Sequence, residues 1–247
     1  MPINIRMSNI DISNYSSRWA FMADRAGFTQ KPLDDVENKF NIVGRFVGNW
    51  AAELDKLIAL SKGGVPLNFL KKMEGGEDPY TVELDRNDLQ STGLNENTVF
   101  LNRIMPPVLN RSVAPTIFKM VDWFGFAGRV LIKIHMQQPG QVFPFHFDDL
   151  TTNRNNNGSK HLMDENPERW ARVEVQLKDW EWGHVWGVGN TYWKQWRAGE
   201  IMFHPWHNLP HGTANCGMSP RICLQITGET TPELRQRLNS FVGDISI

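Results

Sequence analysis

Cysteine is nearly absent: the 247 residues contain two, Cys216 and Cys223. So few exclude a disulfide framework, and their seven-residue separation fits neither a zinc knuckle nor a redox pair, so both are read as small buried hydrophobes. Long apolar runs are also missing. Crossing a bilayer takes roughly 20 consecutive apolar residues, and the chain offers only runs of a few, which excludes a membrane span. Neither sign of charge dominates: 26 Lys+Arg stand against 27 Asp+Glu, for a net charge of −1. The balance also holds within each half, so no region carries the basic excess of a nucleic-acid or anionic-membrane binder. The start, Met1-Pro2-Ile3-Asn4-Ile5, lacks the charged-then-apolar pattern of a signal peptide, and a reducing, cytoplasmic setting is expected. Tyrosine is scarce, at three residues, against ten tryptophans. Seven of these (170, 180, 182, 186, 193, 196 and 206) crowd into the second half.

The length suits one decorated domain with its own core. Residues 1–124 read as mainly helical support. Phe40, Val43, Phe46, Val47, Trp50, Ala51, Leu54, Leu57 and Ile58 recur at three- and four-residue intervals, which predicts a helix that Gly63-Gly64 ends. Shorter helices are predicted near Tyr15–Arg25 and Thr116–Phe124, the latter stopped by Gly125. Segments 75–79 and 86–97 are turn-rich and read as loops. From about residue 125 the period changes to two. Val130, Ile132, Ile134 and Met136 alternate with Leu131, Lys133, His135 and Gln137, and Val173, Val175 and Leu177 alternate with Arg172, Glu174, Gln176 and Lys178. Further strands are predicted at 183–188, 200–204, 211–215 and 221–227, a spacing that points to a sandwich or small barrel. The polar stretch 151–160 reads as a lid, and Thr230-x-x-Glu233 as a capping box opening a helix through about Phe241.

His146-Phe147-Asp148 ends an extended segment, so an imidazole and a carboxylate two residues apart point the same way. Downstream, His211 opens one strand and Arg221 another. If the two strands form a hairpin pairing Asn215 with Arg221 and His211 with Gln225, then His211 and Arg221 share one face. Two histidines and a carboxylate on one side of a metal leave the other side open, which suits Fe(II) that must bind a co-substrate and O2; zinc prefers four ligands. An arginine in the same cavity supplies a planar fork for a carboxylate, so metal and arginine together specify a dicarboxylic co-substrate. His204 and His207 compete as distal ligand. His204 falls on the opposite face of a regular hairpin, and His207 lies in the Pro205–Pro210 turn. Asp149 is assigned to the base of the lid, and His135, His161 and His184 to structural or exposed positions. Most of the clustered tryptophans are assigned to the interior, with Trp182, Trp186, Trp193 and Trp206 as candidates for a substrate wall.

Over about residues 125–230, these blocks resemble the Fe(II)/2-oxoglutarate-dependent oxygenases, especially the aspartyl/asparaginyl β-hydroxylase-like and phage-encoded members. The resemblance implies a mainly β fold with flanking helices, a double-stranded β-helix (jelly roll, cupin-like) at 125–230 and a C-terminal helix within 231–247. It implies Fe(II) on His146, Asp148 and His211, with the 2-oxoglutarate carboxylate on Arg221. Where relatives carry Arg-x-His on the following strand, this chain has Arg172-Val173-Glu174, and Arg172 or Gln176 are the candidates for the second carboxylate contact. Their alternating face reads equally well as solvated. Asp148 stands where halogenating relatives have a small residue, so hydroxylation of a small-molecule or peptide substrate is expected, with release of succinate and CO2. The alternative is a non-catalytic β-helix protein that binds a ligand or partner through a tryptophan-rich face.

Overall fold

A computed structural model of the chain describes residues 40–67, 98–146, 169–189, 191–204 and 211–247. The expected helix at 15–25, the loops at 75–79 and 86–97, the lid at 151–160, and Asp148, Asp149, His161, Trp206 and His207 lie outside the described residues. In chain order the elements are β1 (Asn41–Val47), α1 (Ala51–Leu60), β2 (Val65–Leu67), β3 (Leu101–Ile104), α2 (Pro115–Phe124), β4 (Ala127–Gln137), β5 (Val142–His146) and β6 (Trp170–Gln176). There follow β7 (His184–Val188), β8 (Thr191–Trp193), β9 (Glu200–Phe203), β10 (His211–Asn215), β11 (Arg221–Glu229), α3 (Pro232–Leu238) and β12 (Asp244–Ser246).

Strands β4–β11 form a double-stranded β-helix. The first pairs with the last, β5 with β10, β6 with β9, and β7 with β8, all antiparallel. The nested pairs lie in two sheets, ordered β12-β1-β9-β6-β11-β4-β3-β2 and β5-β10-β7-β8. The larger sheet is thus the β-helix sheet extended at both edges by strands from outside it. Its two-residue alternation directs Ile134, Met136, Val173, Val175, Ile222, Leu224 and Ile226 into the main apolar core with Phe46, Leu54 and Leu57, and with Ile117, Met120 and Phe124 of α2. Burial of these side chains is the main apolar stabilisation available to the fold.

The predicted helix from Phe40 is instead a strand followed by a helix. Ile42, Val43 and Val47 are β-branched, which favours strand, and β1 pairs with β9 on one side and β12 on the other. Gly44 permits the contact with the chain end: a Cβ there would lie 2.6 Å from the Gly243 carbonyl oxygen. The helical spacing holds only from Ala51, where Leu54 and Leu57 are buried. Glu53 in the first turn of α1 caps a different helix, accepting hydrogen bonds from the backbone N–H of Thr116 (2.9 Å) and Ile117 (3.1 Å). This suits α2, whose own N-cap residue, Ala114, supplies no side-chain bond. Helix α2 ends as predicted at Gly125, in the left-handed conformation (φ 61°).

At the C-terminus the capping residue is Thr231, whose hydroxyl accepts from Leu234 N–H at 3.1 Å. Thr230 instead donates its hydroxyl to the Arg169 carbonyl. The helix stops at Leu238, short of the predicted Phe241, and the chain returns as β12, parallel to β1 with Arg45 opposite Asp244. The expected β10–β11 hairpin is absent. Strand β10 pairs with β5 and β7, and β11 with β4 and β6, so the 216–220 connection crosses between sheets. Asn215 secures the crossing, donating Nδ2 to the Gln137 and Ser219 carbonyls, each at 2.8 Å. Among the described residues no helix is long and apolar enough to cross a membrane.

If the apolar face of the large sheet holds the fold together, Ile134→Ala, at a fully buried position, lowers the unfolding free energy by about 2–5 kcal/mol in urea titration. Phe241→Ala, 74% exposed, changes it by less than about 0.5 kcal/mol.

Candidate functional site

The face of the large sheet opposite the helices is polar and points between the sheets. Antiparallel register sets its rows: Gln137 opposite Arg221; Arg103, His135, Cys223 and Gln176 across four strands; then Lys133, Gln225 and Glu174; then Thr227 and Arg172. Arg172, Glu174 and Gln176 are all buried, so the face that reads equally well as solvated is interior. A second apolar cluster of Trp186, Val188, Trp193, Trp196, Met202 and Cys223 fills one part of the space between the sheets. The remainder is a cleft of about 70 Å³, partly open to solvent, bordered by Arg103, Lys133, His135, Glu174, Trp186, His211, Thr213, Arg221 and Gln225, with Leu67, Leu101, Phe143 and Gly212.

His211 and Arg221 both border this cleft, although they stand on different sheets. Their approach comes from the facing of two sheets and not from the hairpin register predicted for them. The Cα register also pairs His211 with His146 across β10 and β5. Asp148 lies outside the described residues, and among the described residues no three His, Cys, Asp or Glu side chains stand close enough to hold a metal. His204 does not face away from His211, as a hairpin would require. It is fully buried, with its ring centroid 4.8 Å from that of His211. Only His211 of the two borders the cleft.

Arg221 is 2% exposed. Its Nε donates to Gln137 Oε1 at 3.0 Å, its Nη1 points to the Cys223 sulfur at 3.8 Å, and the guanidinium lies 4.7 Å from the Trp186 ring centroid. Among the described residues it has no carboxylate ion-pair partner. Glu174 is held by Gln225, whose Nε2 donates at 2.7 Å. Burial raises the Glu174 carboxyl above its ordinary range, opposed by the Gln225 bond and the charges of Arg172, Arg221 and His211. Arg172 donates Nε to the Thr227 hydroxyl at 2.9 Å, and burial lowers its guanidinium to about 10. Neither Arg172 nor Gln176 borders the cleft.

Five cleft residues carry a buried polar atom with no hydrogen-bond partner: Arg103 Nε, His135 Nε2, Trp186 Nε1, Thr213 Oγ1 and Gln225 Oε1. Folded proteins satisfy nearly all such atoms, so a cluster of them marks a place built for a polar ligand or ordered water. Among the described lining residues the cationic side chains are Arg103, Lys133 and Arg221 and the carboxylate is Glu174. Arg103, Lys133 and His135 were not among the candidates drawn from the sequence. The signal for them was the strand alternation itself, which put Lys133 and His135 on one face with Gln137 without saying that the face is internal.

Of the tryptophans proposed as a substrate wall, Trp186 borders the cleft, Trp193 is packed behind it (ring centroids 6.0 Å apart), and Trp182 is 82% exposed on a turn. The cysteines also divide: Cys223 is buried, as expected, but Cys216 is exposed.

No family model matches the chain, and no match was found among curated proteins. Solved structures similar to it include a predicted oxalate decarboxylase from Thermotoga maritima (12% identity, 52% of this chain and 80% of that one, TM-score 0.31). An RmlC-like cupin from Shewanella frigidimarina has 13% identity over 42% of this chain and 69% of that one, TM-score 0.27. The Cnp3 cupin domain of Schizosaccharomyces pombe has 10% identity over 45% of this chain and 64% of that one, TM-score 0.29. At these scores the likenesses carry no functional argument.

Two outcomes check the site. Burial, then the charges of Lys133 and Arg103, hold the His135 imidazole well below its usual value. Below about pH 6.5 the unfolded chain therefore takes up a proton that the folded state refuses, and stability falls with pH by up to about 1.4 kcal/mol per unit. Urea titrations between pH 7.5 and 5.5 should show this loss in the wild type and a shallower one in His135→Gln; parallel curves would refute it. Burial also pushes the Cys223 thiol up to about 12. A maleimide at pH 7.5 should label Cys216 alone in the folded protein and both thiols in urea, as read by mass spectrometry.

Proposed function

We propose that the protein is an Fe(II)/2-oxoglutarate-dependent dioxygenase that hydroxylates its substrate, with this cleft as its active site. The observation that carries the reading is Arg221: a buried guanidinium with no carboxylate partner among the described residues, bordering the same cleft as His211. A buried guanidinium with no direct ion pair, facing only the more distant charge of Glu174, is costly, and a carboxylate ligand lowers that cost.

The donor chemistry suits iron. His211 and His146 occupy paired register positions on adjacent strands, and Asp148 follows His146 by two residues; these three would hold the metal and leave its other side open. When bound, Fe(II) would activate O2 for oxidative decarboxylation of 2-oxoglutarate to succinate and CO2, coupled to hydroxylation of a C–H bond. The protein's own part is binding and exclusion. Arg221 takes the far carboxylate through its fork, with Gln137 fixing Nε and Trp186 supporting the guanidinium face. The apolar cluster behind Trp186 closes one side of the cleft to water. Arg172 and Gln176, the candidates for the second carboxylate contact, do not border the cleft. The tryptophan-rich binding face of the alternative reading finds little support, since Trp186, Trp193 and Trp196 are interior.

Anaerobic calorimetry tests the proposal. 2-Oxoglutarate should bind only with Fe(II) present, about tenfold or more weaker in Arg221→Gln and with its iron dependence lost in His211→Ala. Absence of binding, or binding unaltered in both variants while each retains its near-ultraviolet circular dichroism, would sink the oxygenase reading. Slow succinate formation without added substrate is the expected accompanying result.

A further inference from the structure

The cleft wall presents a pair of acceptors that 2-oxoglutarate does not use. Gln225 is 6% exposed and Glu174 1%; they are paired across β11 and β6, and both border the cleft with His211. Gln225 Nε2 donates to Glu174 Oε1 at 2.7 Å. That bond fixes the amide: its nitrogen is committed to the carboxylate, and its Oε1, which can only accept, is buried without a hydrogen-bond partner. Lys133 stands opposite Gln225 in register, but that oxygen takes no bond from it. Glu174 Oε2 has the Cys223 thiol as its donor, at 3.7 Å, and a thiol donates weakly. The two oxygens flank one hydrogen bond, a single bond angle to either side of it. An oxyanion placed there meets lone pairs on both sides. A hydroxyl brings one proton to two acceptors, whereas an amine or a primary amide nitrogen brings two or more. Arg221 and Glu174 both reach the Cys223 sulfur, Nη1 at 3.8 Å and Oε2 at 3.7 Å. The position assigned to the 2-oxoglutarate carboxylate and the acceptor pair therefore adjoin along the cleft.

We propose that Glu174 and Gln225 form an acceptor subsite for a nitrogen group with two or more N–H donors, so that the substrate held in this cleft carries an amine or a primary amide. The word substrate rests on the oxygenase reading; binding of an N–H group by this pair does not. Such a group satisfies the orphaned Gln225 oxygen and supplies Glu174 Oε2 with a stronger donor than the thiol.

The test titrates methylammonium and acetamide separately into the full-length protein at constant ionic strength, with and without Fe(II) and 2-oxoglutarate, following binding by NMR. Acetate and N,N-dimethylacetamide, which has no N–H, are the controls. At least one N–H probe should bind the wild type and Arg221→Gln, and about tenfold more weakly Gln225→Met, which keeps the side chain's length and removes its oxygen. N,N-dimethylacetamide should not bind at matching concentrations, and any acetate binding should be indifferent to Gln225→Met. That variant should keep 2-oxoglutarate affinity within about twofold. Preference for methylammonium identifies an amine substrate, preference for acetamide an amide, and both results support the subsite. No binding of either probe, binding unaltered in Gln225→Met, or equal binding of N,N-dimethylacetamide would overturn it. If Gln225→Met does not fold, Glu174→Gln takes its place; it puts a donor where the wild type has an acceptor, and the same weakening is expected. If 2-oxoglutarate fails to bind the wild type while an N–H probe binds through Gln225, the oxygenase reading falls and the subsite stands. If 2-oxoglutarate binds with Fe(II) and neither probe does, the subsite falls alone.

Discussion

The large sheet is covered on both faces, and everything else in the molecule follows from how its strands divide their side chains. Helices α1 and α2 cover one face with Leu54, Leu57, Ile117, Met120 and Phe124, and the apolar half of each strand meets them there. Strict two-residue alternation then sends the other half inward, toward the small sheet. In β4, β6 and β11 that half includes Lys133, His135, Gln137, Arg172, Glu174, Gln176, Arg221, Cys223, Gln225 and Thr227. The apolar core therefore lies outside the β-helix, and the β-helix encloses the polar chemistry.

Such an interior is expensive unless its groups are paired. Part of it is: Glu174 with Gln225, Arg172 with Thr227, Arg221 with Gln137. The tryptophan cluster removes water from one part of the space and provides the surface against which Arg221 lies. Some of what stays unpaired lies on the cleft wall, where Arg103, His135, Trp186, Thr213 and Gln225 each present an unbonded polar atom, while Trp170, Gln176 and Ser219 carry such atoms away from it.

Local signals were reliable wherever a local cause sets the structure. The alternations at 130–137 and 172–177 are strands, Pro115 and Gly125 bound a helix, and Thr-Pro near residue 231 opens another. Errors arose where distant chain decides. The three- and four-residue spacing from Phe40 to Trp50 mimics a helix, but β9 and β12 supply edges that β-branched residues fill as a strand. The stretch 211–225 looks like a hairpin, yet each arm has two better partners in different sheets. The usual burial of cysteine predicts a buried Cys216, but its place on the crossing between sheets exposes it.

The sequence by itself determined the strand alternation, the β-rich second half, and the residue types that make His146, Asp148, His211 and Arg221 a plausible set for iron and a dicarboxylate. Period and residue chemistry are local properties, legible without a partner. Only the tertiary structure decided which face of each strand is interior, that His211 and Arg221 meet across two sheets, and that Arg103, Lys133 and His135 belong to the same cleft. The reason is physical: alternation fixes that two faces differ, but the helices packed on one of them determine which face remains to line a cavity.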